Sequence, residues 1–228
     1  DGFEPGLNAP HVDTLNTGNV NGKYWIPAEC DVSIRPGWFY HKAEDDKVKT
    51  PKQLFQLYLK SVGRGANLLL NVPPDGRGLI TGYDSAALVE FRNLREKSFK
   101  TNIASKAKVY LIKDGEIITT RLITDQSIKT YLPIVNIAND FINLKFSTHQ
   151  KINCLVIKEA IDYGQKVSSF FIQLRSQKEL KSYQQTTIGN KLIITFPAIE
   201  ANNIFIHFLN ALGDIKISEI EAYLIPET

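Results

Sequence analysis

The chain has no methionine and only two cysteines, Cys30 and Cys154, among its 228 residues. Two thiols cannot build a disulfide framework or a four-thiolate metal site. A bridge between them would have to join two different parts of the chain, so two small buried apolar side chains are the expected reading. A sequence that opens at Asp1 and lacks methionine is unusual for a translated product. The segment is therefore expected either to be cut from a longer protein or to have carried its methionines in modified form. No apolar run approaches the ~20 residues needed to cross a bilayer, and no membrane span is expected. Charge of one sign is not concentrated anywhere: 27 basic and 24 acidic residues are scattered, without the basic stripe that tracks phosphates. Nucleic acid is not expected as a partner. His11, His149 and His207 lie far apart and predict no metal site. The Gly63-Arg64-Gly65 turn lacks phosphate-loop spacing and reads as a helix stop. What remains is an ordinary globular composition, 43% apolar and 22% charged, at a length that suits two domains.

The order of elements divides the chain. The first forty residues are rich in Gly, Asn and Pro, with a loop expected to run into a strand near Trp38. Thr50-Pro51 predicts a helix start, Thr50 as N-cap and Pro51 at the first helical position, with Leu54, Leu57, Tyr58 and Val62 on one face. Residues 66–72, ANLLLNV, are bounded by Gly65 and Pro73-Pro74 and predict a strand buried on both faces. Asp84 is expected to cap the next helix, which carries Leu88, Phe91 and Leu94. Beyond residue 104 the pattern turns to short strands at 108–112, 117–122, 143–147, 152–158, 167–174, 191–196, 204–208 and 216–224. An Asp114-Gly115 hairpin joins the first two. The fold class is thus α/β followed by all-β. Residues 1–103 are expected to form one domain and 104–228 an antiparallel β-sandwich, with the boundary near 100–106.

The densest cluster of chemically useful side chains runs from Trp25 to His41 and holds two indoles, two carboxylates, an arginine and a histidine. Carbohydrate sites use this mixture, because indole faces stack on the apolar faces of sugars while carboxylates, Arg and His bind hydroxyls. The competing reading makes the aromatics core and the charges a structural network.

The run Trp-Ile-Pro-Ala-Glu-Cys-Asp-Val-Ser-Ile-Arg-Pro-Gly-Trp-Phe-Tyr-His at 25–41 resembles a hallmark stretch of bacterial alpha-L-fucosidases, glycoside hydrolase family 29. Residues 61–75 with Gly78-Leu79-Ile80 resemble the last barrel strand of that family and its following turn. Residues 159–167 are similar to the family's C-terminal sandwich, which itself looks like galactose-binding domains. The resemblance implies the last part of a (β/α)8-like barrel followed by a sandwich, in a secreted or periplasmic enzyme. That enzyme removes terminal alpha-L-fucose with retention, without a cofactor and without a metal. Its partners would be a fucosylated oligosaccharide or glycoconjugate and the rest of the same enzyme chain, with no nucleic acid and no membrane.

Retention needs two carboxyl groups about 5–5.5 Å apart. The family's nucleophile is an aspartate inside a Trp-Phe-Asp pattern, which these residues do not contain. Its acid/base is expected on a loop upstream of Trp25 or before Asp1. Within the chain, Glu29 is the main candidate for an active-site carboxylate, as acid/base or as support of that group, or else as a partner of Arg35. Glu4 is the weaker alternative. Trp38 matches an aromatic position implied to cover the C6 methyl of fucose, and Arg35, Trp25 and His41 are further substrate-binding candidates. Asn71, at the end of the second strand, is expected to face the cavity or cap a turn, not to act in catalysis. A binding-module reading, with the barrel portion inert, is the alternative function. A sandwich that only stabilises the barrel is the plainest expectation for the second domain.

Overall fold

The structure is a computed structural model and describes residues 25–176 and 179–226. They form two compact units, Pro27–Thr101 and Asn102–Leu224, with residues 25–26 grouped to the second.

The first unit is α/β. Strand β1 (Glu29–Ser33) runs parallel to β2 (Asn67–Asn71), with Glu29 opposite Asn67 and Ser33 opposite Asn71. A parallel pair needs a crossover, and helix α1 (Pro51–Lys60) lies on it. The expected start of α1 is observed as a capping box. The Thr50 hydroxyl accepts from the Gln53 N–H at 3.3 Å, and the Gln53 side chain accepts from the Thr50 N–H at 2.9 Å. Helix α2 (Gly82–Ser98) begins one turn earlier than expected, because Thr81 is its N-cap and accepts from the Asp84 N–H. Ile34, Leu54 and Ala87 form the buried centre of this unit, and Leu70 and Val72 pack against it.

That packing covers one side of the two strands. Side chains alternate across a sheet, so Glu29, Asp31, Asn67 and Leu69 point to the other side. Leu69 is 47% exposed, and the expectation of a strand buried on both faces is corrected: among the described residues, helices cover only one face. The strand expected near Trp38 is also corrected. β1 ends at Ser33, and residues 34–39 are a bend where Pro36-Gly37 breaks the extended pattern.

The second unit is an antiparallel β-sandwich of β3 (Lys108–Lys113), β4 (Glu116–Thr120), β5 (Leu132–Ile134), β6 (Phe141–Glu159), β7 (Val167–Arg175), β8 (Leu180–Gln185), β9 (Leu192–Ala211) and β10 (Ile215–Tyr223). One layer is ordered β4-β3-β6-β9-β7-β8, and β10 pairs with β5 and with the second half of β6. β6 and β9 serve both layers, with register shifts between Lys145 and Gln150 and between Ile152 and Cys154. Bulges at such shifts bend a strand and increase its twist, which carries one chain from layer to layer. Ile142, Leu144, Ile172, Ile204 and Ile206 from the first layer share one core with Leu155, Ile157, Ile194, Ile220 and Ala222 from the second. In the β3–β4 turn Asp114 (φ 47°) and Gly115 (φ 87°) both take the left-handed conformation, the two-residue geometry that the Asp-Gly pair predicts. Both cysteines are free, Cys154 buried and Cys30 half-buried. Burial pushes the Cys154 thiol up to about 12, so it behaves as a small apolar group.

Candidate functional site

Parallel strands in α/β folds present their reactive surface at their C-terminal ends. In the first unit those ends are Ser33 and Asn71, and the two side chains meet there. Asn71 Nδ2 donates to Ser33 Oγ at 3.2 Å and to the Trp38 carbonyl at 2.9 Å. Ser33 Oγ donates to the Gly37 carbonyl at 2.7 Å and accepts from the Arg35 N–H at 3.3 Å. The backbone joins in, with the Ile34 N–H donating to the Asn71 carbonyl at 2.9 Å. Lys49 closes the base, its ammonium donating to the Ser33 carbonyl at 2.6 Å. The bend from 34 to 39 is thus tied to both strand ends. It carries Trp38, half-exposed, and Phe39, which is 78% exposed.

The second support is Arg35. Its side chain is buried and paired with Asp84 at 2.8 Å and Asp45 at 2.9 Å. It also donates to Thr81 Oγ1 and to the His41 carbonyl, and the Tyr40 ring lies 4.9 Å from the guanidinium carbon. The hydrogen bond to Asp84 holds the Arg35 pKa above its ordinary value, outweighing burial. Arg35 is spent on the protein's own groups. The expectation that it binds a sugar hydroxyl or pairs with Glu29 is corrected on that ground.

The remaining sequence candidates are dispersed. Glu29 is exposed at the N-terminal end of β1 and accepts from Asn67 Nδ2 at 3.3 Å. Trp38 follows the opposite end, and four residue steps of extended chain span about 13 Å. The structure therefore does not bring Glu29 and Trp38 together. His41 is exposed and contributes its carbonyl to the support of Arg35. Trp25 belongs to the sandwich unit, where its indole nitrogen would lie 3.5 Å from a Cβ placed at Gly189. Glu4 lies outside the described residues. Among the described residues no group of three or more His, Cys, Asp or Glu is arranged to hold a metal ion.

The residues that sequence reasoning missed are Ser33, Asp45 and Asp84. Ser33 ends β1, a placement visible only when the strand boundary is known, whereas the strand end at Asn71 follows from the Pro73-Pro74 breaker. Asp84, read as a cap, is instead the buried counter-ion of Arg35, 49 positions away.

A bend carrying a half-exposed tryptophan and tied to the C-terminal ends of two parallel strands, in an α/β unit followed in the chain by an antiparallel sandwich, defines an α/β plus all-β class in which strand ends are the usual place for a site. The comparisons make this specific. The alpha-L-fucosidase family model matches residues 8–93. Alpha-L-fucosidase 1 of Arabidopsis thaliana is 34% identical over 216 residues, covering 91% of this chain and 42% of that protein. Two solved structures share the fold: a Ruminococcus gnavus family 29 fucosidase in complex with fucose, and a glycoside hydrolase 29 family member from an unknown rumen bacterium. The first has 27% identity and a TM-score of 0.80, over 92% of this chain and 43% of that one. The second has 29% identity and a TM-score of 0.80, over 97% of this chain and 37% of that one. These matches support membership of the alpha-L-fucosidase family, glycoside hydrolase family 29, and the chain spans under half the length of these relatives.

Proposed function

We propose that this chain is the part of a retaining glycoside hydrolase that supplies one wall of its fucose site, in an enzyme that removes terminal alpha-L-fucose from fucosylated glycans. The observation that carries this reading is Trp38, half-exposed on a bend tied to the C-terminal ends of two parallel strands, in a chain of the fucosidase family. An indole there suits a 6-deoxy sugar, because its apolar face covers the C6 methyl that a galactose-type sugar replaces with a hydroxymethyl. Discrimination of that size is worth about 1–3 kcal/mol.

The chemistry uses two carboxyl groups. One attacks the anomeric carbon, and the other protonates the leaving oxygen and then takes a proton from water, so that the anomeric configuration is kept. The nucleophile is assigned to chain beyond these 228 residues, which hold no Trp-Phe-Asp pattern. The acid/base is assigned to the residues upstream of Trp25, with Glu4 as the candidate within this sequence, or to chain before Asp1. Glu29, at the far end of β1 from Trp38, takes at most a supporting role. Barrel membership of β1 and β2, the need for no cofactor, and export from the cytosol, secreted or periplasmic, belong to the same reading.

The test is hydrolysis of an aryl alpha-L-fucoside by the complete enzyme, with the first-formed anomer of fucose followed by proton NMR. The α anomer is expected first; the β anomer, or no hydrolysis, contradicts the reading. Glu29→Gln is expected to change kcat/KM less than about threefold. A loss of ~10²-fold or more, the scale of general acid catalysis, would return the acid/base role to Glu29.

A further inference from the structure

The bend that carries Trp38 is anchored at its base by Lys49 and the Arg35 network, and nearer Trp38 by side chains at the two strand ends. Asn71 Nδ2 is the group that bridges them, reaching the Trp38 carbonyl at 2.9 Å and Ser33 Oγ at 3.2 Å. Ser33 passes the restraint on to the Gly37 carbonyl at 2.7 Å. Among the described residues no atom lies within 4 Å of where a Cβ at Gly37 would stand, so their packing does not hold this part of the bend. Between the Arg35 network and the strand ends, the tie made directly to Trp38 is the hydrogen bond from Asn71 on β2, 33 residues further along the chain.

We infer that Asn71 is a positioning residue that sets the selectivity of the site for a sugar with a methyl group at C6, acting through the backbone of Trp38. This rests on the reading of Trp38 as the wall of the fucose site. Asn71 touches no reacting atom in this account. Its two donors are used within the protein, and its part is to hold the indole at the depth where a methyl fits and a hydroxymethyl does not. Loss of the donor frees the Trp38 carbonyl and lets the bend shift, which weakens fucose contact and admits the larger group.

The experiment compares the complete enzyme with Asn71→Ala and Asn71→Asp on two substrates, the aryl alpha-L-fucoside and the aryl alpha-L-galactoside, which differ only by the hydroxyl on C6. Asn71→Asp keeps the size of the side chain and removes the donor, so it serves if the alanine variant does not fold. Both variants are expected to raise KM for the fucoside about fivefold, the weight of one neutral hydrogen bond. They are also expected to lower the fucoside-to-galactoside ratio of kcat/KM by a similar factor. A purely structural role reduces the amount of active enzyme, lowering kcat while KM and the ratio stay at wild-type values, and that outcome overturns the inference. Wild-type enzyme that hydrolyses neither glycoside removes the functional reading, and the inference falls with it. Wild-type activity with an unchanged ratio in both variants removes the inference alone.

Discussion

Arg35 shows how a residue of apparent binding chemistry becomes structural. A guanidinium taken fully out of water is sustained only by paired charges and satisfied donors, and Asp84, Asp45, Thr81 and the His41 carbonyl supply them. The same network fixes the return of the chain from Trp38 through His41 and anchors the start of α2. Removing one partner of a buried pair leaves the other charge stranded, with Asp84 fully buried. Arg35→Ala is therefore expected to destabilise the protein by about 3–5 kcal/mol in urea unfolding, while Arg35→Lys recovers only part of this because a lysine cannot reproduce the fork to Asp84. A loss under about 1 kcal/mol, the range of exposed pairs, would show that the network is not buried in solution. Sequence reasoning placed Arg35 and Glu29 side by side because they are six positions apart. The fold separates them, since Glu29 stands at the start of the strand and Arg35 beyond its end.

At the scale of elements, what could be read from the sequence was what is locally determined. Thr50-Pro51 starts α1 and Asp114-Gly115 turns β3 into β4, because capping and left-handed turns are decided by a few adjacent residues. The long strands were not legible. β6 and β9 read as two short strands each, since the register shifts interrupt their alternation without ending them. β10 carries another shift between Ile217 and Glu219, and there Glu219 is buried. Its Oε2 accepts from the Gln126 N–H at 3.1 Å, while Oε1 is buried without a hydrogen-bond partner. Burial, reinforced by Glu221, pushes the Glu219 carboxyl up to about 7. The folded state then holds its proton more tightly than the unfolded chain, where a glutamate titrates near 4.5. The sign follows: its contribution is full below about pH 4.5 and is lost as pH rises to about 7. Glu159 shifts the same way and to the same range, with burial outweighing three backbone N–H donors. Glu219→Gln is expected to flatten the pH dependence of unfolding between these limits and to raise stability at pH 8 by on the order of 1–3 kcal/mol. A variant whose stability follows the wild-type curve at every pH would show that Glu219 is not titrating in the folded state.

For the whole molecule, the fold class was readable because the switch from α/β alternation to closely spaced strands survives every local error. The site was readable only in part. The hallmark run from Trp25 to His41 is contiguous in sequence, yet it falls into a strand covered on one face, a clasped bend and a residue of the sandwich unit. Trp38 stands on the bend at the C-terminal ends of the two strands, whereas Glu29 stands at the opposite end of β1 and Trp25 belongs to the sandwich unit. The side of β1 and β2 that bears Glu29, Asp31 and Leu69 is free of helices among the described residues, and the chain spans under half of its relatives. On the proposed reading the nucleophile lies outside these 228 residues and faces the strand ends that carry Ser33 and Asn71. The most direct measurement is a crystal structure of the complete enzyme with fucose bound. The account predicts the C6 methyl of fucose packed on the Trp38 indole, at the ends of β1 and β2. Fucose bound elsewhere, with Trp38 out of contact with the sugar, would contradict it.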